Sequence, residues 1–98
     1  MVQANGPSYT VIRGLEIPTG KLKGEFCDVA LERISAVPFQ VAAAIHTRPA
    51  LVPMDWTEPL KTRVSDLGPE WQYWSRRFDR PPTPQNILAH VLTVLAAV

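Results

Sequence analysis

The chain has 98 residues, an apolar fraction of 46 % and a formal net charge of +1 at pH 7. That length favours one small domain with a modest core. The near-neutral charge argues against a strongly basic protein that binds nucleic acid or acidic membranes. The single cysteine, Cys27, excludes an intrachain disulfide and is typical of a reducing compartment.

The N-terminal third is typical of extended structure. Residues 1–8 are small and polar, and we expect a flexible arm there, followed by one small domain over residues 9–98. The first residues of that domain are rich in β-branched and aromatic side chains, and Pro18 and Gly20 then mark a turn. A β-hairpin or extended segment over about residues 9–27 is therefore predicted, with its spaced glycines serving the turn and a bulge.

The rest of the chain is interpreted as short helices that begin at prolines or capping residues. Pro59, Pro69 and Pro84 each fall in the first turn of a predicted helix, where proline is tolerated. Leu60 and Val64 stand at helical spacing in one of these segments. The predicted helices cover residues 29–37, 38–46, 58–67, 69–78 and 84–98. The predicted fold class is accordingly α+β and mainly α, with four or five short helices after the hairpin.

A loop is predicted between the second and third of these helices, over residues 49–56. It contains Leu51, Val52, Met54 and Trp56. Because so many apolar residues are unusual in a solvated loop, we expect this loop to lie against something, and we count it among the features that favour a protein partner.

The last predicted helix, residues 84–98, is apolar around well over half of its circumference. A helix of this kind needs cover on more than one side, and a short chain offers little. Leu88, Leu92 and Leu95 are therefore predicted to contact a protein partner or a second copy of the chain. No stretch reaches the roughly 18 to 20 apolar residues of a transmembrane helix. We see no secretory signal and expect a cytoplasmic protein or an intracellular assembly such as a viral particle.

Residues 70–80 combine aromatic rings with arginines, which are residue types enriched at protein–protein hot spots. The candidate contact residues are Trp71, Trp74, Arg76, Arg77 and Arg80. Two alternatives stay open for this segment. Its rings, including Phe78, form the domain core while the arginines are solvated, or the arginines contact phosphates while rings stack on bases.

No motif for catalysis, a cofactor or a metal is found. Cys27 with His46 or His90 would supply a thiol and a base, but a free cysteine is more often a small buried apolar residue. One cysteine and two distant histidines do not match the spacing of a zinc site. The chain is thus predicted to be a non-enzymatic protein–protein interaction module, a structural or accessory subunit of a larger assembly, homo-oligomers included. The alternative is a small dimeric nucleic-acid-binding regulator that uses residues 70–80.

Overall fold

The computed structural model describes residues 8–36, 39–58, 60–77 and 84–97. The strands are β1 (Tyr9–Glu16), β2 (Phe26–Ala36), β3 (Phe39–Val41), β4 (Ile45–Arg48), β5 (Thr62–Ser65) and β6 (Gly68–Trp74), and helix α1 spans Pro84–Ala96. The strands form an antiparallel sheet in the order β1-β2-β4-β6-β5, with β3 paired to β2 beside that path.

The prediction of a mainly helical protein is wrong, because the described residues form mainly antiparallel sheet with one helix. Four segments predicted as helices have their described residues in strands and in the connections between strands: 29–37, 38–46, 58–67 and 69–78. The last predicted helix is present and spans Pro84–Ala96.

The strand pattern is hidden because consecutive residues are buried on both faces of the sheet. Val29, Ala30 and Leu31 of β2 are all fully buried, so the polar–apolar alternation that marks a half-exposed strand is lost. A helix over residues 69–78 would place Trp71 and Trp74 on one face, three residues apart. In β6 they point to opposite faces, since strand side chains alternate. Proline is also tolerated near the start of a strand, which is where Pro69 lies.

A hairpin is present as the β1–β2 pair, but the predicted bounds of about 9–27 are wrong for its second strand: residues 21–24 form the turn, and the return strand spans Phe26–Ala36. The register of the pair shifts between Ile12 and Leu15, where Gly14 has a φ of 62°, so the expected bulge is present as well. The connection between the strands reaches the end of α1: a Cβ on Gly20 would lie 2.8 Å from the carbonyl oxygen of Ala96. Glycine is therefore required at that contact.

Ser8 extends the hairpin by one residue. Its carbonyl oxygen accepts a hydrogen bond of 2.8 Å from the Arg33 amide. Residues 1–7 of the predicted arm lie outside the described residues.

Helix α1 covers one face of the sheet, which we call the helix face. The core on this face consists of Ile17, Cys27, Val29, Leu31, Val41, Ile45, Trp74, Ile87, Val91, Val94 and Leu95. Two of the four apolar residues of loop 49–56, Leu51 and Val52, lie against this core, whereas Met54 and Trp56 are exposed. The side-chain amide of Gln72 holds the loop by accepting from the Leu51 amide at 2.9 Å and donating to the Val52 carbonyl at 2.7 Å. In the described part of the chain, no helix is long and apolar enough to cross a membrane.

A buried polar contact lies in this core, where the Trp74 indole N–H donates to Thr47 Oγ1 at 2.9 Å. Thr47→Val keeps the side-chain shape but leaves the buried indole N–H without its acceptor. We expect a loss of about 1–3 kcal/mol in the free energy of unfolding, measured by urea denaturation. The control, Thr93→Val at an exposed position of α1, should change stability by less than about 0.5 kcal/mol. Equal stability of the two variants would contradict this role of Thr47.

Candidate functional site

The face of the sheet opposite α1, here called the open face, has a continuous row of cross-strand neighbours. The register aligns Val11, Ala30, His46, Tyr73 and Arg63 across β1, β2, β4, β6 and β5. Directly paired residues share a face, so these five side chains lie on the same side. In the described part of the chain the only helix lies on the other side. Rings and cations must therefore cover much of this face.

Trp56 lies at the β5 end of the row and forms a cation–aromatic cluster that we call the Trp56 platform. The platform consists of Trp56, Lys61, Arg63 and Tyr73. The Arg63 guanidinium carbon is 5.1 Å from the centre of the Trp56 ring and 4.8 Å from that of Tyr73. The Lys61 Nζ atom is 4.7 Å from the Trp56 ring centre. Contacts of this kind attract the cation to the ring face.

The loop before β5 fixes the position of Trp56 from both sides. The Thr62 amide donates to the Asp55 carbonyl oxygen at 2.8 Å, and the Asp55 amide donates to the Thr62 hydroxyl oxygen at 3.0 Å. After Trp56, the Thr57 amide and hydroxyl both donate to the Asp55 carboxylate, which lowers the pKa of Asp55. Trp56 itself remains 47 % exposed. A large exposed ring is thus held in one place by its neighbours.

Lys61 has an unusual backbone conformation, with a φ of 47°. A non-glycine residue in this region costs on the order of 1–2 kcal/mol. Strained positions are often found at functional sites, where the surrounding structure holds them. Here the Lys61 amide donates to the Thr57 carbonyl at 2.9 Å, and its own carbonyl accepts from Ser75 at 3.0 Å.

The other end of the open face is neutralised by its own ion pair. Arg48 donates to Asp28 at 2.7 Å and also lies over the ring of Trp71, 4.8 Å from its centre. Asp28 accepts a second bond from the Gly14 amide at 2.9 Å. These bonds hold the pKa of Asp28 below its ordinary value. The Trp56 platform, by contrast, contains two cations and no carboxylate.

His46 lies between these two ends and is almost fully buried. A hydrogen bond of 2.6 Å joins its Nδ1 atom to Ser65 Oγ, and the rings of Tyr9 and Tyr73 pack against it at 5.3 and 5.1 Å. Burial is the main cause that lowers the pKa of His46 to about 4. A serine–histidine pair resembles a nucleophile with its base, but so weak a base is poorly suited to activate a hydroxyl at neutral pH. We assign this pair a structural role in joining β4 to the β5–β6 turn.

Segment 70–80 is divided among several environments. Trp74 is fully buried on the helix face and Trp71 is only 9 % exposed, so neither presents an accessible ring to a partner. For Trp74, the alternative that the rings of this segment form the domain core is confirmed. Arg76 and Arg77 come together in an open cleft beside β5. Arg80 and Phe78 lie outside the described residues.

The predicted contact residues of α1 are also divided. Leu95 is fully buried in the core, where no partner reaches it. Leu88 is 45 % exposed, and Leu92 is half-buried. His90 faces inward and its Nε2 atom lies 2.7 Å from the Ala43 carbonyl oxygen. Only Leu88 and Leu92 remain for the predicted self-association, which stays a prediction.

Sequence reasoning did not single out Lys61 or Arg63. It considered His46 only as a base for Cys27, Tyr73 only among the rings of residues 70–80, and Trp56 only as part of an apolar loop. One signal was available: Lys61, Arg63 and Ser65 are polar residues at every second position, the spacing of one face of a strand. The thiol that was considered as a nucleophile lies in the core. Burial, with a smaller contribution from Asp28, raises the pKa of Cys27 to about 11. In the described residues, no three His, Cys, Asp or Glu side chains form a group suited to a metal ion.

No family model matches the chain, and no curated protein or solved structure is significantly similar to it.

Native-state titration of His46 provides a test of the packing on the open face. The unfolded side chain takes up its proton near pH 6.5, whereas the folded one does so near pH 4, so the unfolded chain binds more protons in between. Stability should therefore rise with pH across that interval, and about 3 kcal/mol should be lost as pH falls through it. Urea unfolding at both ends of the interval measures this loss. His46→Asn should flatten the dependence, and a folded-state titration of His46 near 6.5 by NMR would refute the assignment.

The burial of Cys27 predicts slow chemistry at its thiol. Only the thiolate reacts, so the raised pKa and the 3 % exposed fraction should both slow labelling of the native protein. We expect a thiol reagent to react far more slowly in buffer than in concentrated urea, which serves as the control. Equal rates in the two conditions would restore Cys27 as a candidate nucleophile.

Proposed function

We propose that the protein is a non-enzymatic protein-binding module whose partner docks on the Trp56 platform. The observation that carries the proposal is an exposed tryptophan that is held in place by two cations and a second ring. Trp, Tyr and Arg dominate the hot spots of protein interfaces. A fixed ring also reduces the ordering cost of binding, because its conformation is already set in the free protein.

The comparison with another exposed ring supports the choice of Trp56. Phe26 is 61 % exposed, more than Trp56. Among the described residues, however, no cation or ring contact involves Phe26. Exposure alone does not make a binding site, since single apolar residues are common on protein surfaces. Trp56 differs by its fixed position.

Two features favour protein over single-stranded nucleic acid as the partner. Stacking of bases requires free ring faces, yet Arg63 lies over both Trp56 and Tyr73, and Arg48 lies over Trp71. The chain also has a net charge of only +1, whereas phosphate binding depends on many cations. A protein partner is therefore favoured, and the experiment below includes single-stranded nucleic acid as the competing outcome.

Peptide display against the intact protein tests the proposal. Peptides selected on the wild type, without depletion on any variant, should bind the wild type, as measured by calorimetry. Because hot-spot truncation costs about 2 kcal/mol or more, Trp56→Ala should weaken these peptides at least about 30-fold.

Phe26→Ala is the matched control and should leave peptide affinity unchanged. Both variants should retain the unfolding cooperativity of the wild type, since both rings are exposed. Peptides that bind Trp56→Ala and the wild type equally would refute the platform as the docking site. Tight, salt-sensitive binding of a single-stranded oligonucleotide pool without any selected peptide would favour the nucleic-acid alternative instead.

A further inference from the structure

An open cleft adjoins the Trp56 platform at the β5 edge of the sheet. It is lined by Glu58, Lys61, Ser75, Arg76 and Arg77, and we call it the cation cleft. Three of these side chains are cations and one is a carboxylate. The cleft is therefore a place where an anion would be attracted.

Arg76 is held rigidly at the wall of the cleft. Its Nη1 group donates to the carbonyl oxygens of Leu60 and Ser75, both at 2.7 Å. A guanidinium group has five N–H donors, and among the described residues no hydrogen bond is made by Nε or Nη2 of Arg76. Partial burial lowers the pKa of Arg76, and nearby Glu58 opposes that effect. A bound anion would offset the same desolvation of the charge.

Lys61 belongs to both the cation cleft and the Trp56 platform. Its strained backbone, with a φ of 47°, is held on both sides by hydrogen bonds to Thr57 and Ser75. Its Nζ atom lies over Trp56 while the side chain also lines the cleft. A ligand that reaches both sites would therefore combine an apolar group with an anion a short distance away.

We propose that the cation cleft binds an oxyanion, a side-chain carboxylate or phosphate, carried by the protein segment that docks on the Trp56 platform. This inference rests on the proposed function. Arginine presents a planar fork that matches such oxyanions in bidentate geometry, and the bonds are strengthened by charge. The partner segment is accordingly acidic beside its apolar anchor.

NMR titration of the full chain with a tetraglutamate peptide and with a phosphoserine peptide tests the inference and separates the two sources of oxyanion. Saturable shifts of the Arg76 and Arg77 Nε–H signals are expected with at least one peptide, and salt should weaken them. Arg77→Gln should reduce affinity about fivefold, the effect of one partly exposed ion pair. Glu58→Gln should increase it, because the one carboxylate of the cleft is removed.

Lys61→Gly separates a binding role from a structural one. Glycine adopts a positive φ without strain, so stability should be retained or raised while affinity for the acidic peptide falls. Lys23→Gln, in the β1–β2 connection at the opposite edge of the sheet, is the matched control and should change neither.

Failure of this inference is distinguishable from failure of the proposed function. If neither peptide shifts the cleft signals, or only inorganic phosphate or an oligonucleotide does, the oxyanion site for a protein segment is refuted. If Trp56→Ala abolishes binding of the display-selected peptides at the same time, the proposed function still stands. If the acidic peptides bind the cleft but the display-selected peptides bind Trp56→Ala as well as the wild type, the proposed function is refuted. The inference that one segment occupies both the cleft and the platform is then refuted as well.

Discussion

In the described part of the chain, one helix covers one face of a six-stranded sheet, and the rest of the described structure depends on this constraint. Helix α1 has 13 residues and contains no Asp, Glu, Lys or Arg, so it is suited to lie on an apolar surface. Its inward side packs on Val29, Ile45 and Trp74. With the only described helix on that side, the open face has to exclude water from the backbone with its own side chains. Long cations and aromatic rings achieve this because their apolar parts cover the sheet while their polar ends stay wet.

The same constraint explains why polar groups of the open face are buried or paired, and why the pKa of His46 is lowered. His46 is buried by Tyr9, Tyr73 and the neighbouring β5–β6 turn, so its neutral form is favoured. Arg48 spreads over Trp71 and is neutralised by Asp28. Trp56 reaches this face only because its loop turns around the edge of β5, where Thr62 holds Asp55. Packing that completes the fold on this side thus also fixes an exposed ring.

Local signals in the sequence were sufficient for β1 with the turn that follows it and for the terminal helix. The bulge at Gly14, the turn after Pro18 and the terminal helix each depend on residues close together in the chain. The central strands depend on distant partners instead, such as β2 with β4 and β4 with β6. Burial on both faces removes the two-residue period there, and Trp71 and Trp74 then mimic helical spacing although they point in opposite directions.

The candidate site shows a similar division. Residue types such as tryptophan and arginine can be noted from sequence, and Arg76 and Arg77 do line the cation cleft. Trp56 lies far from these arginines in the sequence, and the helices that were wrongly predicted between them gave no reason to expect the residues to be neighbours. It joins them through Lys61, whose amide bonds back to Thr57 and whose carbonyl bonds across to Ser75. An antiparallel pair brings residues on either side of a turn together, so β5 and β6 unite two stretches of sequence that a helical interpretation keeps apart. The site is therefore a product of strand pairing, and it would be lost if β5 were displaced from β6.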